Sequence, residues 1–141
     1  MGAAVVCQVT ARNPAIRAVV ADSIYSRLFP VIRKTVRERY HLPIFPWALA
    51  TWWALQAMLG KRLHPLDPVA LAPRLHQSLL AIQGGEDRRV DPPLEHEFYQ
   101  RWAGPKERWF DPAVGHVRMF AQHPQEYCDR VAQFFDRTLR R

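Results

Sequence analysis

The stretch Leu79-Leu80-Ala81-Ile82-Gln83-Gly84-Gly85-Glu86-Asp87-Arg88-Arg89-Val90 limits what this chain can fold into more than any other. A short apolar run bounded by turn residues reads as a strand buried on both faces, the pattern of a parallel sheet. Gly84 and Gly85 end the run and let the backbone turn without a Cβ penalty. Asp87 then falls just beyond the strand's carboxyl end, where open α/β sheets place their ligands and chemistry. His116, in Val114-Gly115-His116, follows a second short strand in the same way. An acid and a histidine at the tips of adjacent parallel strands are two members of a Ser-His-Asp triad.

At 141 residues the chain can bury a core as one domain, and its twelve prolines favour several short elements. Cys7 and Cys128 have neither metal spacing nor a disulfide framework, which suits idle thiols in a reducing, cytoplasmic setting. His41, His64, His76, His96 and His123 lack metal-ligand spacing, so no metal or cofactor is expected. The net charge of +7 is spread from Arg27 to the Arg137–Arg141 tail. A nucleic-acid partner would favour one basic stripe interleaved with aromatics, and none is expected here. No basic segment precedes the first apolar run, so no secretory signal is expected either.

Residues 2–12 are small and apolar at helical spacing, and Asn13-Pro14 stops them. Residues 16–21 are β-branched and read as a buried strand ending at Asp22-Ser23. Residues 27–40 form an amphipathic pattern with Pro30 in the first turn. Residues 42–60 carry no charge, and Pro43 and Pro46 cut the continuous helix to 47–59, too short to span a bilayer. A buried or lid helix is the expectation, with docking on a lipid surface as the alternative. Trp47, Trp52 and Trp53 suit a lid over an apolar pocket. Asp67-Pro68 provides an N-cap with Pro at N1 for a short helix. A strand at 78–83, a helix at 94–103, an edge strand at 107–110 and a closing helix at 124–139 complete the order.

These residues, in this order, resemble the C-terminal half of the α/β-hydrolase family. Gly84-Gly85-Glu86-Asp87-Arg88-Arg89-Val90-Asp91-Pro92 resembles the family's strand-Gly-x-x-Asp-x-x-Val-x-Pro segment, which carries the triad acid. Gly104-Pro105-Lys106-Glu107 and Val114-Gly115-His116 resemble its turn and histidine loop. Met1-Gly2-Ala3-Ala4 resembles the end of the nucleophile elbow, Gly-x-Ser-Met-Gly-Ala-Ala. The resemblance implies an α/β fold with three parallel strands, flanking helices and a helical lid insertion. Residues 1–26 would follow the nucleophile, 27–63 would form the lid, and 64–141 would carry the acid and the histidine.

The resemblance further implies that Asp87 is the acid, His116 the base and the Met1 N–H an oxyanion donor. The serine would stand immediately before Met1, so the 141 residues would be inactive alone. Ser23, Ser26 and Ser78 lie on no strand-to-helix elbow, and Cys7 sits inside a helix. Asp22 also follows a strand and is a rival acid; the glycine context and short path to the histidine favour Asp87. The implied reaction is hydrolysis of an ester, thioester or amide through an acyl-enzyme, with an apolar acyl substrate. The alternatives are a non-catalytic half-domain that pairs with another chain, and a peripheral lipid-surface module. Residues 16–21 would also be left as a central strand with one open edge.

Overall fold

A computed structural model describes residues 2–63, 65 and 67–140. It contains three strands, β1 (Ala18–Asp22), β2 (Ser78–Gly84) and β3 (Lys106–Asp111). They form one parallel sheet in the order β1-β2-β3, with Val19 opposite Leu79 and Ile82 opposite Trp109. β1 begins two residues later than the apolar run suggests and extends through Asp22. The helices are α1 (Gly2–Thr10), α2 (Leu28–Glu38), α3 (Ile44–Leu59), α4 (Pro68–Leu71), α5 (Pro92–Arg101), α6 (Met119–Gln122) and α7 (Pro124–Leu139). The fold is α/β, with helices flanking a parallel sheet.

β2 is buried over six of its seven residues, Leu79 to Gly84, because both of its faces are covered. Alternation along a strand sends successive side chains to opposite faces. Leu79 and Ala81 join Val19, Ala21, Cys7, Phe98 and Trp102, so one face packs against α1 and α5. Leu80 and Ile82 join Trp109, Val114, Met119 and Phe134, so the other packs against α6 and α7. Tyr127, Val131 and Phe135 of α7 pack against this second cluster.

α2 and α3 form a hairpin with a cluster of its own, built on Ile32, Val36 and Ala48. Phe29 and Trp52 meet edge to face at 5.4 Å. The uncharged stretch at 42–60 is not a buried helix. Ala48 is the one buried residue described on α3, while Phe45, Trp53 and Met58 are 75%, 67% and 83% exposed. An apolar helix can bury only the stripe that faces its neighbour, and α2 covers only that stripe. α3 starts three residues before the expected 47, at Ile44, with Phe45 in extended backbone before the regular turns. It stops at Gly60, whose φ of 61° is left-handed. Among the described residues no helix is long and apolar enough to cross a membrane.

Asp67 departs from its expected role. It precedes α4, but its side chain makes no cap there. Its Oδ1 instead accepts from the Leu28 N–H at 2.8 Å, the first N–H of α2. The carboxylate thus ties the start of the hairpin to the segment that leads into α4, across 39 residues of sequence.

Candidate active site

The paired glycines at the end of β2 bring two loops together. A Cβ on Gly84 would lie 2.2 Å from the Val114 carbonyl oxygen, and one on Gly85 would lie 2.6 Å from that of Pro112. Neither distance is tolerable between non-bonded atoms. The requirement is for close approach rather than for a left-handed turn, since Gly60 is the one described glycine with positive φ. The contact is closed by hydrogen bonds from Gly85 N–H to the Asp111 carbonyl (2.8 Å) and from Glu86 N–H to the Val114 carbonyl (3.0 Å).

Asp87 follows, with its side chain fully buried. Its Oδ1 accepts from the backbone N–H groups of Arg89 (2.8 Å) and Val90 (2.9 Å), which fixes the plane of the carboxylate. Its Oδ2 lies 2.7 Å from His116 Nδ1. In that geometry Nδ1 carries the shared proton and Nε2 is left as the basic nitrogen. The imidazole lines an open cleft of about 590 Å³ together with Glu86, Arg88, Arg89, Val117 and Arg118. Among the described residues no side chain or backbone group bonds Nε2.

Asp22, the rival acid, faces other partners. Ser23 Oγ donates to its Oδ1 at 3.1 Å and Tyr127 Oη donates to its Oδ2 at 3.3 Å. Burial raises its carboxyl above the ordinary range, against the pull of those two hydrogen bonds. Ser26 is buried with no partner for its hydroxyl among the described residues, and Ser78 opens β2 at its amino end, the end away from His116. Burial pushes the Cys7 thiol up to about 12, which keeps it protonated and inert. Met1, the expected oxyanion donor, lies outside the described residues, as does His64.

The tryptophans line a different depression. Trp52 and Trp53 flank a groove of about 400 Å³ with Arg27, Phe29, Leu49 and Asp67. Trp47 is 48% exposed and is not among the groove's lining residues. Among the described residues no group of three or more His, Cys, Asp or Glu side chains could hold a metal ion.

Two features had no signal in the sequence. His123 Nε2 pairs with Asp111 Oδ2 at 2.9 Å, beside the Trp109 ring. Glu95 of α5 is buried, and among the described residues neither carboxylate oxygen makes a well-formed hydrogen bond, with Gln83 its neighbour. Burial first, and then the negative charge of Asp87, raise its carboxyl from 4.5 to about 8. An acidic residue on a helix face ordinarily points to water, so only the tertiary fold reveals that this one does not.

Neither a protein-family model nor a curated protein sequence matches this chain. Solved structures do. An esterase from Pyrococcus furiosus aligns over 99% of this chain and 51% of its own, at 24% identity and a TM-score of 0.74. Acetyl xylan esterase 1 from Thermoanaerobacterium sp. JW/SL YS485 aligns over 94% of this chain and 41% of its own, at 18% identity and a TM-score of 0.66. An acylaminoacyl peptidase from Pyrococcus horikoshii aligns over 98% of this chain and 23% of its own, at 16% identity and a TM-score of 0.70. The chain thus spans about half the length of the esterase structures it matches first. Its α/β architecture, with three parallel strands and flanking helices, is shared with the part of each of these structures that it aligns with.

Proposed function

We propose that these residues are the acid–base half of a serine acyl hydrolase, with the nucleophile delivered by polypeptide that packs beside β1 and leads into α1. The single observation that carries this reading is the 2.7 Å contact between a buried, backbone-clamped Asp87 and the Nδ1 of an imidazole that lines an open cleft. Asp87 would hold the tautomer and stabilise the imidazolium. Nε2 would take the serine proton as the hydroxyl oxygen attacks the acyl carbonyl, and would return it to the departing alcohol, thiol or amine. The resulting acyl-enzyme would be cleaved by a water activated at the same nitrogen. Backbone N–H groups would stabilise the oxyanion, with that of Met1 the donor the resemblance implies.

The sheet supports the placement of the missing element. Among the described residues β1 pairs with β2 alone, although Val19 and Ala21 are buried on one face and Ala18, Val20 and Asp22 are half-buried on the other. On α1 beside it, Val5, Val6 and Val9 are exposed. A parallel strand with an apolar neighbouring helix calls for a further strand and its cover. The groove between Trp52 and Trp53 would take an apolar acyl group. No cofactor enters this chemistry.

The test is hydrolysis of p-nitrophenyl esters by a polypeptide that continues through a Gly-x-Ser ahead of Met1. Turnover should fall on the order of 10⁴-fold in D87N and on the order of 10⁶-fold in H116A, and should improve with acyl length. Activity surviving H116A would end the reading, and turnover of acetate alone would end the apolar preference.

A second reading, docking on a lipid surface, draws support from the exposed Phe45, Trp53, Met58 and Leu59 of α3. Flotation with anionic vesicles tests it, with loss of binding expected in F45S/W53S.

A further inference from the structure

The catalytic reading needs His116 held still, and its partner Asp87 grips only one side of the ring. The segment before the histidine is fixed by Val114, fully buried in the core that packs against α7. The segment after it contains Val117, a β-branched residue at φ 53°. A β-branched side chain in the left-handed region is a true outlier, and such a conformation persists only where the surroundings impose it.

What imposes it here lies 94 residues away in sequence. The Val117 N–H donates to Ser23 Oγ at 3.1 Å. Ser23 itself sits at φ 48°, so two residues in uncommon backbone conformations are joined by one hydrogen bond. Ser23 is held at three points. Its N–H donates to the Ile82 carbonyl at 3.0 Å, extending the β1–β2 ladder by one rung. Its hydroxyl hydrogen goes to Asp22 Oδ1 at 3.1 Å, and the Asp22 carboxylate is in turn fixed by Tyr127 Oη at 3.3 Å. With that hydrogen committed to Asp22, the Ser23 oxygen presents a lone pair to Val117.

We infer that Ser23 and Asp22 are positioning residues: a latch from the tip of β1 to the backbone just after His116, holding the imidazole in line with Asp87. The inference rests on the acid–base reading of His116 and extends it. It gives Asp22 work other than that of triad acid, and gives Ser23 work other than that of nucleophile. α7 takes part through Tyr127, so the tip of β1 and α7 meet at the histidine loop.

The experiment uses the chain labelled with ¹⁵N, with two readouts. The first is the tautomer of His116 from its two-bond ¹⁵N–¹H correlations. The second is hydrogen exchange at the Val117 amide. Wild type should hold the Nδ1–H tautomer and protect Val117. S23A should populate the Nε2–H form, as an unrestrained imidazole does, and raise Val117 exchange at least tenfold. S23G removes the hydroxyl yet suits φ 48°, so it keeps the test available if S23A folds poorly; it should behave like S23A. D22N still accepts from Ser23 and should keep wild-type values, whereas D22A should move towards S23A. Wild-type tautomer and exchange in both S23A and S23G would overturn the latch. So would wild-type values in S23G alone, since the backbone conformation and not the hydroxyl would then be what matters. An unprotected Val117 in wild type would overturn the latch and leave the dyad standing. An Nε2–H tautomer in wild type with Val117 protected would instead count against the acid–base reading.

Discussion

Asp87 and Glu95 are both buried carboxyls on the acid-bearing side of the sheet, and their surroundings set them apart. Asp87 has two backbone N–H donors and an imidazole, whereas for Glu95 only Gln83 and the charge of Arg108 weakly offset burial. Because the Glu95 carboxyl is raised from 4.5 to about 8, the folded state keeps its proton where the unfolded state has lost it. Stability from this group is therefore complete below about pH 4.5 and drains away as pH rises through 8. E95Q should match wild type in acid and become progressively more stable than it between those values, read by urea melts at a series of pH values. The two thiols should separate as sharply. Exposed Cys128 should react with a disulfide reagent in the native state and buried Cys7 only on unfolding, since burial pushes the latter up to about 12. Asp87 and His116 were legible in the sequence because both follow strand ends, a local signal. The Ser23–Val117 bond, the buried Glu95 and the reach of Asp67 to Leu28 were not. Each depends on partners brought together by the fold from up to 94 residues apart.

At the scale of elements, periodicity located all three strands and the closing helix to within two residues or so. Residues 42–60 are where it fell short. Composition said that the segment is apolar, and apolar segments are usually buried, yet burial depends on what faces them. Here α2 covers one stripe and leaves Phe45, Trp53 and Met58 exposed. The paired glycines carry a similar lesson. Their presence marked the turn, but the reason for them is the backbone of the histidine loop pressed against β2. G84A should therefore cost about 2 kcal/mol or more by chemical denaturation, because the new methyl meets a carbonyl that can retreat only by moving His116. The same variant should perturb the His116 ring signals more than any substitution of similar size on α3.

At the scale of the molecule, the sheet has a central strand, β2, covered on both faces, and a β1 whose outer edge has no partner among the described residues. An exposed parallel edge beside the apolar Val5, Val6 and Val9 is a template for association. Amides of β1 should exchange faster than those of β2, and adding the polypeptide that leads into α1 should slow them. The central claim is that Asp87 and His116 activate a serine carried by that polypeptide. A fluorophosphonate probe followed by peptide mapping tests it most directly. The 141 residues alone should stay unlabelled, and the extended polypeptide should be labelled at the serine before Met1 and lose that label in H116A. A stoichiometric adduct on Ser23, Ser26 or Ser78, or labelling of the extended form that survives H116A, would contradict it.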